Sequence, residues 1–224
     1  AKGFPALDYL LNSDPVSATV LKMENDSVRR KFVFDLANDI SQRIQKINSD
    51  WWKPSGRATF ESQAGTDVGS STGMLVNSLN QHYEKFFRDN KIGIPLGIRS
   101  SGIQRLDFLE SQYGKYSLDL VKENFQAMKR LYFGLDTLGN DGYGLENYLL
   151  DLNAAELDSR IKAQMNLIEM KIDGLSPPLG DQIAADAPKV QETYNEIQRL
   201  IVLLKVDMPS LMGVLITFQD NDGD

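Results

Sequence analysis

The sequence contains no cysteine and a single histidine, His82, in 224 residues. Without thiols there can be no disulfide framework, no cysteine nucleophile, no iron–sulfur cluster and no thiolate zinc site built from this chain. One imidazole rules out any cluster of two or more histidine ligands within a single chain. Long apolar runs are missing too. The longest, Ile201–Leu204 and Leu211–Phe218, fall far short of the roughly 18 to 20 residues that cross a bilayer. Nor is there an excess of basic charge: 24 Lys and Arg against 31 Asp and Glu give a formal charge of -7 and a pI near 4.8. An acidic chain has no footprint for tracking a phosphate backbone, which argues against nucleic acid as a partner.

What remains is ordinary for a globular protein, at 42% hydrophobic and 25% charged residues. Disordered and collagen-like classes are excluded, and the length suits one large domain or two small ones. The chain opens on Ala1 and passes directly into the amphipathic stretch Gly3–Leu11, with no basic region or cleavage-like segment before it. A fragment or processed piece of a longer polypeptide is therefore expected.

Helical periodicity dominates. Val28, Phe32, Leu36, Ile40, Ile44, Ile47 and Trp51 recur at steps of four and three, predicting a long helix with one buried face. Asp26 or Ser27 is placed to cap it, and Lys53-Pro54-Ser55-Gly56 to end it. A polar loop is expected over 55–73, with helical spacing resuming at Leu75, Leu79, Tyr83 and Phe86 or Phe87 as far as about Asn90. Gly93-Ile94-Pro95-Leu96-Gly97 reads as a break between helices. Further helices are expected around 103–110 and over 117–133, the latter with Leu118, Val121, Phe125, Met128, Leu131 and Tyr132 on its apolar side. After a Gly/Asp-rich connection (134–144), Asn153 and Glu156 read as a capping box for a helix carrying Leu157, Ile161, Met165, Ile168, Ile172 and Leu175. Val190, Tyr194, Ile197, Ile201 and Leu204 mark a last long helix, ended by Pro209. With no convincing run of alternating β-branched residues, the fold class is all-α, a helical bundle.

Few side chains carry evident chemistry. His82 has no H-x-x-x-H or H-x-x-E partner on its helix face, and no G-x-S-x-G elbow accompanies it, so a serine hydrolase is set aside and His82 reads as a helix-surface or interfacial residue. Asp8, Glu110, Asp136, Asp141, Tyr9 and Tyr113 offer hard oxygen atoms of the kind that suit ferric iron, calcium or magnesium. Asp220-Asn221-Asp222-Gly223-Asp224 begins like an EF-hand loop, but its glycine falls at the fourth position and no closing glutamate follows, so it reads as a polar tail. Trp51 and Trp52 read as packing residues.

Several landmarks occur in a telling order: Lys2-Gly3-Phe4-Pro5-Ala6-Leu7-Asp8-Tyr9, Arg29-Arg30-Lys31-Phe32, Pro95-Leu96-Gly97, Glu110-Ser111-Gln112-Tyr113 with Ser117-Leu118, Leu131-Tyr132-Phe133-Gly134, and the stretch from Leu211 to Asp224. Together they resemble the imelysin-like proteins along essentially the whole chain. The resemblance implies two similar four-helix-bundle halves, a place in the bacterial cell envelope, often as a periplasmic or outer-membrane lipoprotein, and a part in iron uptake; the family was once catalogued as metallopeptidases. On that reading residues 1–25 form an opening segment and 26–224 the second bundle, with an upstream bundle as partner. The family hallmark G-x-H-x-x-E falls here on Gly3, Pro5 and Asp8. Pro5 can neither bind a metal nor take a proton, whereas a zinc peptidase needs histidine ligands and a carboxylate base.

Asp8 lies on the same helix face as Pro5, three residues on, and is placed to face a cleft. The binding residues expected are Gly3, Pro5, Asp8, Tyr9, Arg30, Glu110, Ser111, Tyr113 and Ser117, with Asp8 and Glu110 as the metal-holding pair and Arg30 as a bidentate donor to Asp8 or to an anionic ligand. The function implied is non-catalytic binding of iron, an iron complex or an envelope partner at a cleft between helical bundles. The alternatives are a metal-dependent peptidase and a structural docking module beside an outer-membrane transporter.

Overall fold

The computed structural model describes residues 2–218, and no strand occurs among them. The terminal Asp220–Asp224 tail lies outside the described residues. Three helices open the chain: α1 (Gly3–Asn12), α2 (Val16–Asn25) and α3 (Ser27–Trp51). Asp26 caps α3 as its sequence predicts, accepting from the Arg29 amide at 2.9 Å. Arg29 Nη2 donates to the Leu10 carbonyl at 2.8 Å, and the charge of Lys2 acts on Asp39, so α1 runs antiparallel to α3 across residues 29 to 39.

That cover is short. A helix of 25 residues is roughly 37 Å long and a ten-residue neighbour about 15 Å. Of the predicted α3 stripe only Leu36 is fully buried, while Ile44 and Ile47 are 59% and 71% exposed. The expected helix is present, but its expected buried face is not buried within this chain.

Residues Pro54–Ala58 form one wide turn, followed by the single turn α4 (Thr59–Ser62), where the sequence predicts only loop. Trp51 and Phe60 meet here with ring centroids 5.6 Å apart. Ser70 then caps α5 (Ser71–Gln81), receiving the Gly73 amide at 3.2 Å. The helix does not break at Gly93 as predicted. It continues through His82–Gly93 in wider, i→i+5 turns and closes with α6 (Ile94–Leu96). Gly93 serves closeness rather than turning, since a Cβ there would lie 2.8 Å from the Tyr194 ring. The stop falls at Gly97, which takes the left-handed conformation with φ +97°.

The remaining helices close the bundle. They are α7 (Ser117–Phe133), α8 (Leu145–Asp151), α9 (Ala155–Asp173), α10 (Leu179–Ala185), α11 (Ala187–Ile201) and α12 (Met208–Met212), with a second wide-turn segment, Val202–Asp207, joining the last two. α7 matches its predicted span, although Leu131 faces outward. The helix predicted around 103–110 is only a tight turn at Leu106–Phe108. The predicted capping box at Asn153 does not form: Asn153 takes a left-handed φ of 59°, and α9 starts after Ala154 without a side-chain cap. Pro209 does not end the final helix, because it sits in the first turn of α12, where its missing amide costs nothing.

The core lies among α5 with its extension, α7, α9 and α11. Tyr83, Phe87, Phe125, Tyr132, Ile161, Ile168 and Ile197 are at most 2% exposed, each contributing about 1.5–3 kcal/mol through burial. Phe87 stacks on Phe125 at 5.6 Å. Buried polar groups tie the helices in register: Asn80 donates to the Val76 and Leu204 carbonyls, both at 2.9 Å, and the Tyr83 hydroxyl donates to Ile197 O at 2.8 Å. Arg88, 2% exposed, holds Asp89 through Nε at 2.9 Å. Burial works against that guanidinium, but the Asp89 and Glu84 carboxylates outweigh it and leave its pKa raised.

Candidate functional site

A cleft of about 840 Å³ opens where α1 meets the bundle. One wall is the wide-turn helix running into α6, from which His82, Phe86, Asn90 and Ile94 recur every four residues, with Lys91 beside them. The second wall is the segment from Asp107 to Tyr113, and α1 supplies Pro5 and Asp8. Asn124 of α7 completes the lining next to His82.

Asp8 is the hinge pin of this arrangement. Its Oδ1 accepts from the Gly114 amide at 2.8 Å, the Asn12 side chain at 3.1 Å and Ser111 Oγ at 3.2 Å, and its Oδ2 accepts from the Tyr113 amide at 3.0 Å. Local backbone makes this possible. Ser111 and Lys115 both take positive φ, 52° and 62°, which turns the 113 and 114 amides onto one anion. Gly114 is required, since a Cβ there would stand 2.8 Å from Asp8 Oδ1. Tyr9 packs edge-on against Tyr113 with centroids 5.3 Å apart.

Of the expected binding residues, the structure brings Pro5, Asp8, Glu110, Ser111 and Tyr113 together on the cleft. Glu110 pairs with Lys91, whose side chain is only 11% exposed. Ser117 is buried and donates its hydroxyl to the Glu110 carbonyl, which fixes the end of the loop against the start of α7. Gly3 begins α1 with φ +69°. Arg30 does not reach Asp8. Its guanidinium caps the end of α2, donating to the Met23 and Glu24 carbonyls, a role that follows from the exposed α2 C-terminus lying closer to it than the carboxylate.

The residues that sequence reasoning left out are His82, Phe86, Asn90, Lys91, Phe108, Asn124 and Gly114. His82 Nε2 lies 2.9 Å from Asn124 Oδ1, so with that amide orientation the ring donates there and leaves Nδ1 as an acceptor. The four-residue spacing from His82 to Ile94 was a readable signal, hidden by the expectation of a break at Gly93. At the rim, Arg105 grips Asp107 with two bonds of 2.9 and 3.0 Å and lies 4.4 Å over the Phe108 ring. The Arg105 hydrogen bond holds the Asp107 carboxyl below its ordinary pKa.

The ion pairs of the cleft are thus made within it: Lys91 with Glu110, Arg105 with Asp107. Polar groups with spare capacity are the amides of Asn90, Gln112 and Asn124 and the free nitrogen of His82, set among the rings of Phe86, Phe108 and Tyr113. Among the described residues, no three His, Asp or Glu side chains converge as a metal set. Asp136 serves its own loop, accepting from the Leu138 and Asn140 amides at 2.8 and 2.9 Å. No described helix is long and apolar enough to cross a membrane.

The fold and site define an all-α helical protein whose principal cleft is pinned by a carboxylate from its first helix. A family model described as Imelysin, of the M75 peptidases, matches residues 1–206, and the chain belongs to that family. No curated protein and no solved structure matched the chain.

Proposed function

We propose that this imelysin-family protein acts in iron uptake in the bacterial cell envelope, as a periplasmic or outer-membrane lipoprotein, and that its cleft binds an iron complex without catalysing a reaction. The observation that carries the reading is that both degenerate hallmark positions, Pro5 and Asp8, face the cleft with no ligand set between them. Pro5 has no donor atom for a metal, and Asp8 already accepts four hydrogen bonds. A zinc-peptidase mechanism would lack its histidine ligands and its free base.

A bare ferric ion would have to strip Lys91 from Glu110 and the backbone amides from Asp8. An iron complex brings its own oxygen donors and asks the protein only for walls, which the aromatic rings and spare amides supply. In the same reading the distal face of α3, with Ile44, Ile47, Trp51 and Trp52 exposed, packs against an upstream bundle of the same protein. An outer-membrane transporter or other envelope partner would then meet the assembled pair.

The test is retained iron, measured by plasma mass spectrometry after equilibration with ferric citrate, with ferric chloride and with zinc chloride. Stoichiometric iron is expected from ferric citrate and is lost in a Phe86→Ala/Phe108→Ala double variant. Retention of no iron in any form would overturn the reading, and so would hydrolysis of a peptide library that stops on chelation.

A further inference from the structure

On the far side of the bundle a smaller pocket of about 370 Å³ lies between the start of α5, the end of α7 and α8. Its floor is made by two glycines in close approach: a Cβ on Gly134 would stand 2.5 Å from the Gly144 amide nitrogen, and one on Gly144 2.4 Å from that of Gly134. The connection 134–144 is thereby folded back against the last turn of α7. Arg130, in that last turn, lines the pocket and is the one charged residue in its lining.

Most of the half-buried lysines of this molecule are held by acids, Lys85 being an exception among the described residues. Lys91, Lys129, Lys162 and Arg99 each have a carboxylate within 3.0 Å. Among the described residues no hydrogen bond or ion pair engages the Arg130 guanidinium, while its backbone carbonyl accepts from the Gly134 amide and from the Leu135 amide, the latter at 2.8 Å. The helix dipole at the α7 C-terminus favours a cation there but supplies no acceptor for its five N–H groups. In a chain of net charge -7, a half-buried arginine at a pocket with no carboxylate in the lining leaves its N–H groups to solvent or to a ligand. The two acids of α8 are engaged elsewhere: Asp151 accepts from the Tyr143 hydroxyl, and Glu146 pairs with Lys162 at 2.6 Å.

We propose that this pocket binds a small organic carboxylate with a short aliphatic body. The planar guanidinium takes a carboxylate bidentately, and the Tyr148 and Thr72 hydroxyls at the same pocket offer further donors. Leu75, Leu131 and Leu145 form the apolar remainder. One positive charge matches a monocarboxylate and leaves a phosphate dianion under-neutralised. The pocket volume is at the small end of ligand clefts, which selects a chain of a few carbons.

Isothermal titration of the whole protein with hexanoate, and with hexanol as the uncharged match, tests this. Hexanoate is expected to bind one to one, at least about tenfold more tightly than hexanol. Arg130→Gln should lower hexanoate affinity by about tenfold or more and Arg130→Lys by less, and Lys85→Gln should leave it unchanged. Because no hydrogen bond or ion pair among the described residues engages the Arg130 guanidinium, the two Arg130 variants are expected to keep the parent circular dichroism spectrum, which is checked before titration. Absence of hexanoate binding, equal binding of hexanol, or unchanged affinity in Arg130→Gln would each overturn the proposal.

Discussion

The α1–α3 region and the helical bundle use the same apolar periodicity, and only one of them buries it. In α9 every predicted core position from Leu157 to Ile172 is buried, as is Leu175 just beyond its end, because α7 and α11 flank the helix. In α3 the stripe has similar steps, yet only Leu36 of it is buried, and past the end of α1 it stays open, with Ile47 at 71% exposure. Periodicity therefore reports that a face is meant to be covered; it does not say by what. The two regions also differ in how they meet: the bundle is held by a continuous apolar core, whereas α1 is fixed to it at the cleft by one carboxylate and one edge-on tyrosine pair.

The sharpest way to break that comparison is to remove one phenylalanine from each region. Phe125→Ala takes a 1% exposed ring out of the bundle and should cost about 3–5 kcal/mol in urea unfolding. Phe34→Ala removes a ring that is 71% exposed and should stay within about 0.5 kcal/mol. Equal losses would mean that the α3 surface is covered in solution.

A second variant addresses the joint between the regions. Asp8→Ala removes the acceptor of the Tyr113 and Gly114 amides, and should cost about 1–2 kcal/mol. Hydrogen exchange at those two amides should accelerate about tenfold or more while Val121 and Ile161 in the core keep their protection. Slow exchange at both amides in the variant would show that the loop holds its shape without the carboxylate.

How much of this was readable beforehand depends on what each residue answers to. The α7 span and the seam of α9 were legible because local spacing and tertiary burial agree there. The break expected at Gly93–Gly97 failed because Gly93 is used to let Tyr194 approach, and because wide turns carry the chain on to Gly97. The capping box at Asn153 failed because Asn153 itself adopts the left-handed conformation. Short α8 and α10 carry too few turns to show a period. Site membership was half legible: the residues from Glu110 to Tyr113 and the Pro5/Asp8 face stood out as sequence landmarks. That they meet, more than 100 residues apart, is a fact of tertiary structure. Arg30 was misplaced for the same reason, since its nearer acceptors are carbonyls at the end of α2 that no side-chain pattern announces.

Acid separates the two regions by the smallest effect. Asp50, near the end of α3, is pulled down to about 2 by Lys46 and Lys53, but all three lie exposed on neighbouring turns of one segment. Glu169 of α9 is also lowered from 4.5, chiefly by the Lys129 hydrogen bond and aided by Gln126, and both partners belong to α7. A carboxyl whose folded pKa is depressed contributes stability that is present above its ordinary pKa and is lost as the pH falls through the lowered value. The Glu169 pair joins two helices that separate on unfolding, so the contribution, below about 1 kcal/mol, belongs to the folded state. The Lys46–Asp50 pair lies within one helix whose turns are solvated on that side, and salt and water screen it in either state. Melting temperature followed downward from pH 4.5 should therefore fall less steeply in Glu169→Gln than in the parent, and Asp50→Asn should track the parent curve. A flatter curve in Asp50→Asn as well would mean that the distal part of α3 is held in a larger structure whose charges feel one another.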